Sequence, residues 1–205
     1  TVMVLVGYGQ IIPQAVIDIP PLGIINVHAS LLPRYRGAAP IQWAIARGET
    51  RTGLTTIRID AGLDTGDILL QRETEIGEEE TALELAPRLA AMGAALLVET
   101  LAGLESGTVV PIKQDSACAT YAPLLKKEDG LIDWTQPARD IYNRVRGLLP
   151  WPGCYTGFRG QGLHVWKARM SEGARGGPST ICEAKGRLWV ACGDGRSLEL
   201  LEVQL

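Results

Sequence analysis

The sequence is poor in the residues that build disulfide frameworks and zinc sites. It contains four cysteines and two histidines among 205 residues. No pair of cysteines has the CxxC spacing, and the histidines lie far apart, so we expect no metal site. With no secretory signal at its start, the chain is expected to carry reduced, free thiols of a cytosolic protein. These cysteines are Cys118, Cys154, Cys182 and Cys192.

Several other features are missing, and each absence excludes a class of protein. No apolar run approaches the roughly 18 residues of a membrane span, which predicts a cytoplasmic protein without a membrane partner. The segment Gly7-Tyr8-Gly9 lacks the third glycine of a dinucleotide fingerprint. No GxSxG surrounds Ser30, and residues 60–67 lack the spacing of an EF-hand.

The two ends of the sequence are both strand-like. Residues 2–6 form a short apolar run with no initiator methionine before it, and residues 198–205 form another. Because sheets rarely tolerate ragged central strands, we expect a fragment shortened at both ends. A chain of 205 residues can still form one large domain or two small ones.

Charge is unevenly distributed along the chain. Residues 1–125 hold 8 basic and 14 acidic side chains, whereas residues 126–205 hold 12 basic and 9 acidic ones. The mildly basic second part is compatible with a polyanionic partner. A solvated surface without any partner explains this distribution equally well.

The first part alternates strand and helix patterns, which predicts an α/β domain with a mostly parallel, Rossmann-like sheet. A long helix is predicted from 82 to 104, with Thr81 and Glu84 as a capping box. Pro87 should kink this helix or delay its start. The remaining predicted elements are strands at 2–6, 22–27, 53–59 and 68–73, the last two as a hairpin, and a helix at 40–47.

The second part has a different pattern. A helix is predicted at 137–146, with Thr135 as its N-cap and Gly147 as its stop. Five short β-runs follow, a number and spacing typical of a small OB-like barrel. They lie at 154–158, 162–167, 180–184, 188–192 and 198–203. We therefore predict a first domain at 1–108, a linker at 109–125 and an OB-like domain at 126–205.

Two polar side chains stand where a predicted strand ends. Asn26 and His28 are two residues apart, so both project to one face. An asparagine amide can donate a hydrogen bond to an oxyanion, and a histidine can donate a second one or move a proton near neutral pH. The glycine-rich loop 60–67 supplies carboxylates, Asp64 among them. We expect all three groups at one end of the sheet. With the motifs above excluded, this set favours direct acyl transfer through a tetrahedral intermediate, without a covalent nucleophile or a metal.

At this point the sequence resembles the methionyl-tRNA formyltransferase family, a branch of the folate-dependent formyltransferases. The resemblance rests on INVHASLLPRYRGAAPIQ at 25–42 and LDTGD at 63–67. It continues through YAP at 121–123, IDW at 132–134, PWPG at 150–153 and GDG at 193–195. It implies 10-formyltetrahydrofolate as formyl donor and initiator methionyl-tRNA as acceptor, in translation initiation.

The resemblance also implies roles for individual residues. It makes Asn26, His28 and Asp64 catalytic. Folate-binding positions would be Ser30, Leu31, Leu32, Pro33, Gly9, Ile11, Ile12, Asp60, Gly62 and Leu63. The positions of basic residues, rather than the resemblance, give the candidate tRNA contacts, which are Arg34, Arg36, Lys126, Lys127, Arg144 and Arg146. For Arg34 and Arg36, anchoring of their own loop is an equal alternative to phosphate contact.

The sequence departs from the family at both ends. Family members carry upstream βα units that are missing here and continue beyond Leu205. The missing strands would leave 2–6 as a sheet edge, which a partner copy could cover. For the full-length protein we expect a monomer.

The sequence leaves two rival functions open. One is a formyltransferase that acts on an amino sugar nucleotide, which shares the Asn-x-His motif. The other is a non-catalytic RNA-binding module built on the second domain. Such a module would not need Asn26, His28 and Asp64 together.

Overall fold

The computed structural model describes residues 1–172 and 176–205. They form two compact units. The first comprises Thr1–Ile41, Thr50–Gly77 and Glu84–Leu124, and the second comprises Gln42–Glu49, Glu78–Leu83 and Leu125–Leu205. The domain boundaries predicted from sequence, with a linker at 109–125, remain a prediction.

A four-stranded sheet forms the centre of the first unit. Its strands lie in the order β1-β2-β3-β4. β1 pairs with β2 in parallel, whereas the β2–β3 and β3–β4 pairs are antiparallel. The sheet is thus mixed rather than mostly parallel, because β3 and β4 form the predicted hairpin pair and β3 runs back along β2. The bounds are β1 (Met3–Leu5), β2 (Ile24–His28), β3 (Arg51–Arg58) and β4 (Ile68–Glu75).

Three helices lie in the part of the chain before residue 107. They are α1 (Gln14–Ile17), α2 (Pro40–Ala46) and α3 (Ala82–Ser106). Pro87 lies inside α3, which nevertheless begins at Ala82. Its ring falls in the second turn, where the missing N–H removes one hydrogen bond of the helix but does not end it. The predicted delay of the helix start is therefore wrong.

Helix α3 packs one apolar face inside the first unit. Leu85, Leu89 and Leu96 are fully buried. Glycine at 93 permits close packing, since a Cβ there would lie 3.2 Å from Val27 Cγ1. The buried Thr100 hydroxyl is 2.8 Å from that of Thr56. α3 thus covers the sheet face that carries Val27 and Thr56.

By length and composition alone, α3 could also cross a membrane. A core helix of a soluble protein passes the same test, so one such helix is weak evidence for a span. Charged residues such as Arg88 and Glu99 interrupt the apolar sequence of this helix. A search for an uninterrupted apolar run therefore does not select it.

A five-stranded antiparallel sheet dominates the second unit. Its order is β5-β6-β9-β8-β7. Each predicted β-run is confirmed as a strand: β5 (Cys154–Phe158), β6 (Gln161–Ser171), β7 (Ile181–Ala184), β8 (Arg187–Ala191) and β9 (Ser197–Gln204). Within the described residues β5 and β7 are edge strands, so no closed barrel is present.

The helix of the second unit, α4 (Ala138–Gly147), differs from prediction at both ends. Thr135 does not cap it, because its hydroxyl donates to Asp133 instead. The N-terminal cap is supplied by Asp194, whose carboxylate accepts from the Ala138 N–H at 3.2 Å. Gly147 is the last helical residue rather than the stop that follows the helix.

All four cysteines are free thiols, as predicted. Cys154 and Cys192 are buried, whereas Cys118 is exposed. Burial raises the pKa of the Cys154 thiol to about 12 and that of Cys192 to about 11. These two thiols are therefore packing residues.

A buried carboxylate lies at the centre of the second sheet. Glu199 on β9 accepts hydrogen bonds from Arg187 at 2.6 Å and from Arg169 at 2.7 Å. The bonds from Arg187, followed by those from Arg169, lower the pKa of the Glu199 carboxyl to about 2. Two guanidinium groups thus keep a buried acid ionised.

Candidate active site

The site begins with the alternation of side chains along β2. Asn26 and His28 project to one face of the strand, and Val27 projects to the opposite face under α3. β2 is an interior strand, with β1 and β3 on its two sides. Asn26 is half-buried and His28 is 6% exposed. The sheet therefore sets the direction in which both side chains project.

The two ring nitrogens of His28 have different partners. Nε2 lies 2.8 Å from the carbonyl oxygen of Tyr35. A carbonyl can only accept a hydrogen bond, so this geometry assigns the hydrogen to Nε2. Nδ1 lies 3.6 Å from Oδ2 of Asp64. Nδ1 is therefore the nitrogen that can exchange a proton near the carboxylate.

Asp64 is held on both its side chain and its backbone. Its Oδ2 accepts from the Gly37 N–H at 2.8 Å, and its carbonyl accepts from the Gln114 amide at 2.8 Å. Its backbone has a φ of 52°, in the left-handed region. The carboxylate keeps 18% exposure. It is thus fixed in position while remaining accessible to a small reactant.

The route by which Asp64 reaches His28 differs from the predicted one. The β2–β3 pair is antiparallel, and Arg58 at the end of β3 lies opposite Ile25 near the start of β2. The loop after β3 therefore leaves from the opposite end of the sheet and folds back toward His28. The three side chains do not all lie on loops at one end of the sheet, as the assumed parallel topology implied.

Hydrogen bonds pin the turn at 30–33 to β3. The Thr55 hydroxyl donates to the Ser30 carbonyl at 2.7 Å and accepts from the Leu32 N–H at 3.1 Å. The Ser30 hydroxyl donates to the Arg34 carbonyl at 2.6 Å. The side chains of Ser30 and Leu32 are buried, whereas those of Leu31 and Pro33 are half-buried. The buried pair shapes the turn, and the other two side chains remain accessible.

The other expected folate positions are mostly exposed. Ile11 is 75% exposed, and Gly9 and Leu63 are exposed as well. Ile12 is half-buried, whereas Asp60 and Gly62 are exposed. Asp60 accepts from the Gly62 N–H and from the Thr65 hydroxyl, at 3.0 and 2.6 Å, which organises its loop. Residues 9–12 follow β1, which runs parallel to β2 beside Asn26.

The expected tRNA contacts fall into two groups. Arg34, Lys126 and Lys127 are exposed. Arg36 is 3% exposed and donates to the side-chain oxygen Oε1 of Gln114 at 3.0 and 2.7 Å. This arrangement favours the anchoring interpretation of Arg36.

Two further arginines of that set are held inside the second unit. Arg146 is 7% exposed and donates to Asn143 and to the Glu80 carbonyl. Burial lowers its pKa, since desolvation disfavours the charged form. Arg144 is half-buried and donates to the Asp129 carbonyl. Both side chains serve the local structure.

Sequence reasoning missed three groups at the site: the Tyr35 carbonyl, the Gly37 N–H and Gln114. The first two are backbone atoms, which no side-chain pattern reveals. Gln114 lies in a segment without any period, where nothing in the sequence marks it. In the described part of the chain, no His, Cys, Asp or Glu cluster is arranged to hold a metal ion.

Comparison with known proteins identifies the class. The formyl transferase family model matches residues 1–101, and the model of the formyl transferase C-terminal domain matches residues 124–205. Together they account for nearly the whole chain. The chain belongs to the formyl transferase family.

Curated relatives narrow this class further. The methionyl-tRNA formyltransferase of Solibacter usitatus (strain Ellin6076) is 68% identical over 98% of this chain. That of Koribacter versatilis (strain Ellin345) is 58% identical over 99% of it. The chain spans 65% of the length of each of these relatives.

Solved structures of more distant proteins share the fold. The sugar 3N-formyl transferase WlaRD matches with a TM-score of 0.77 and 20% identity, covering 97% of this chain and 71% of its own. HypX of Aquifex aeolicus, solved with tetrahydrofolic acid, matches with a TM-score of 0.73 and 19% identity. That match covers 97% of this chain and 35% of HypX. At such identities the likeness shows the fold alone.

Proposed function

We propose that the full-length protein transfers a formyl group from 10-formyltetrahydrofolate to the α-amino group of methionyl initiator tRNA. In this proposal the present chain carries the reacting residues. The observation that carries it is the cluster of Asn26 and His28 on one strand face with Asp64 3.6 Å from the His28 ring. The relatives named methionyl-tRNA formyltransferases, at 68% and 58% identity, support the choice of acceptor.

The reaction needs an oxyanion donor and a proton carrier. The neutral amine attacks the formyl carbon, and the formyl oxygen becomes an oxyanion. The Asn26 amide donates a hydrogen bond to it. His28 Nε2 is committed to the Tyr35 carbonyl, so its Nδ1 edge faces the reactants and Asp64.

The proton then moves through the same pair of side chains. The attacking nitrogen becomes positively charged and releases a proton to His28 and Asp64. The folate nitrogen takes up a proton as its bond to the formyl carbon breaks, which restores the pair. Asp64 stabilises the imidazolium form of His28 during this exchange.

Folate would bind between the turn at 30–33 and the loops at 9–12 and 60–63. Exposed Ile11 and Leu63, with half-buried Leu31 and Pro33, offer apolar surface for the pterin ring. Ser30 and Leu32 would act by shaping the turn, because their side chains are buried. Gly9, Ile12, Asp60 and Gly62 would contribute backbone and loop shape.

The acceptor tRNA would contact exposed cations. Arg34, Lys126 and Lys127 are accessible for phosphate contacts. We expect the second unit to complete an OB-like domain in the full-length protein and to bind tRNA there. Affinity for tRNA should then fall steeply as salt rises. The full-length protein should act as a monomer in the cytoplasm.

The test offers two acceptors to the full-length gene product. With 10-formyltetrahydrofolate as donor, formyl transfer is measured to methionyl initiator tRNA and, in parallel, to an amino sugar nucleotide. We expect formylation of the tRNA alone, and a loss of about 10²–10⁴-fold in His28→Ala. Transfer to the sugar alone would keep the chemistry and overturn the acceptor.

The matched control is His164→Ala, because His164 is the other histidine of this chain. Its ring stacks on Trp166 in the second unit, with a centroid distance of 5.1 Å. Formylation should persist in this variant. A similar loss in both histidine variants would contradict a specific role for His28, and full activity of His28→Ala would favour a non-catalytic RNA-binding module.

A further inference from the structure

One glutamine joins the two segments that supply the partners of His28. Gln114 Nε2 donates to the carbonyl oxygens of Asp64 and Gly66, at 2.8 and 2.7 Å. Its Oε1 accepts from Nε and from the terminal nitrogen of buried Arg36, at 3.0 and 2.7 Å. Both ends of the carboxamide are therefore used twice. One end holds the Asp64 loop, and the other holds the residue that follows Tyr35.

Both partners of His28 stand on backbone that needs external support. Tyr35, whose carbonyl accepts from His28, has a φ of 61°. Asp64, whose carboxylate faces the other ring nitrogen, has a φ of 52°. Non-glycine residues adopt this left-handed conformation only where their surroundings impose it. Gln114 contacts the backbone of one of them and the neighbouring side chain of the other.

The segment around Gln114 also holds the Tyr35 loop through its backbone. The Arg36 N–H donates to the Thr120 carbonyl at 2.8 Å, and the Ala122 N–H donates to the Arg36 carbonyl at 2.7 Å. The Tyr35 N–H donates to the Thr120 hydroxyl at 2.9 Å. The Gln114 side chain extends this support to the backbone of the Asp64 loop, alongside the bond from the Gly37 N–H to the Asp64 carboxylate.

We propose that Gln114 is a positioning residue, which sets the distance between Asp64 and the His28 ring by tying their two loops together. Its consequence for turnover rests on the proposed formyl transfer. Its consequence for the geometry of His28 does not. The carboxamide is required because glutamine both donates toward the carbonyls of 64 and 66 and accepts from Arg36.

Two variants separate the two ends of this bridge. Gln114→Ala removes both ends. Gln114→Glu keeps an acceptor for Arg36 but replaces the donor with an oxygen that faces two carbonyl oxygens. If the bridge to Asp64 matters, both variants lose turnover, whereas a role limited to Arg36 would leave Gln114→Glu active.

The kinetic test compares kcat with KM in the full-length gene product. We expect kcat to fall by about 10²-fold in both variants, a loss typical of a small misplacement of reacting groups. The KM for each substrate should stay near that of the parent. The control is Thr100→Val, which removes a buried hydroxyl pair with Thr56 under α3. This variant should destabilise the first unit without changing a residue of the site.

A second readout does not depend on activity. The ¹⁵N resonances of the His28 ring report which nitrogen carries hydrogen, and His28→Ala assigns them. At fixed pH these resonances should shift in both Gln114 variants and stay unchanged in Thr100→Val. Unshifted resonances, or a loss of kcat that merely follows the loss of Tm, would overturn the proposal. Shifted resonances in a protein without formyl transfer would retain the positioning role and reject the proposed function.

Discussion

The ring of His28 connects two kinds of support, a backbone carbonyl on one side and a carboxylate on the other. The Tyr35 carbonyl oxygen lies 2.8 Å from Nε2 and keeps the hydrogen on that nitrogen. The 3.6 Å between Nδ1 and Asp64 is longer than a hydrogen bond. Nδ1 is therefore not locked to the carboxylate and stays available to a reacting group. Such an arrangement suits a proton carrier better than a permanently paired core histidine.

Glu199 shows the opposite use of a buried charge, since its partners fully engage it. The two arginines hold the pKa of its carboxyl at about 2, below the ordinary 4.5. A lowered folded-state pKa adds stability that is complete above the unfolded value and is lost as pH falls through the folded value. The stabilising effect of Glu199 should therefore disappear between pH values of about 4.5 and 2.

Glu199→Gln tests this dependence. At neutral pH the variant should have a lower Tm than the parent, because Arg169 and Arg187 lose their carboxylate. Below pH 4.5 the Tm of the parent should fall more steeply, so the difference between the two narrows. Thermal unfolding followed by circular dichroism from pH 7 to strongly acidic pH measures both effects.

The matched control lies on the same strand. Glu202→Gln changes an exposed glutamate of β9 and should preserve the parental slope of Tm against pH. If Tm falls as steeply below pH 4.5 in Glu199→Gln as in the parent, the two arginines do not act through this carboxylate.

The end of α4 illustrates how packing decides where an element stops. Gly147 is helical, and a Cβ there would lie 2.7 Å from the backbone nitrogen of Ala46 in α2. Neither the backbone of α4 nor that of α2 can move away easily to admit this atom. Glycine at 147 is therefore required by the close approach of two chain segments rather than by a terminating turn.

Gly147→Ala should accordingly destabilise the second unit. Overpacking against backbone costs about 1–3 kcal/mol in free energy of unfolding. Denaturation by urea measures the change. Gly157→Ala is the control, since no atom lies within 4 Å of the Cβ it would add. Equal stabilities of the two variants would contradict the packing explanation.

The elements could be predicted wherever a period or a run of β-branched residues exists. The five strands of the second sheet and the long helix α3 follow from such patterns. The direction of β3 could not be predicted, because alternating strands and helices suggest parallel pairing. The N-terminal cap of α4 could not be predicted either, because the acceptor of the Ala138 N–H is Asp194, 56 residues away in sequence.

For the molecule as a whole, family membership follows from motifs that span nearly the entire chain. Residue types predicted a carboxylate of the 60–67 loop near His28, and the resemblance singled out Asp64, whose Oδ2 lies 3.6 Å from Nδ1. The support around the pair was not predictable. Tyr35 and Gly37 act through backbone atoms, and Gln114 sits in an aperiodic segment that predicts only a linker.

The most direct test of the catalytic assignment is a comparison of two quantities in Asn26→Ala of the full-length gene product. One is the single-turnover rate of formyl transfer to methionyl initiator tRNA, and the other is the dissociation constant for the folate donor. A lost oxyanion donor should cost about 3 kcal/mol in the transition state, or roughly 10²-fold in rate, while folate binding changes little. Equal losses in rate and in folate affinity would contradict the account, because Asn26 would then serve ground-state binding.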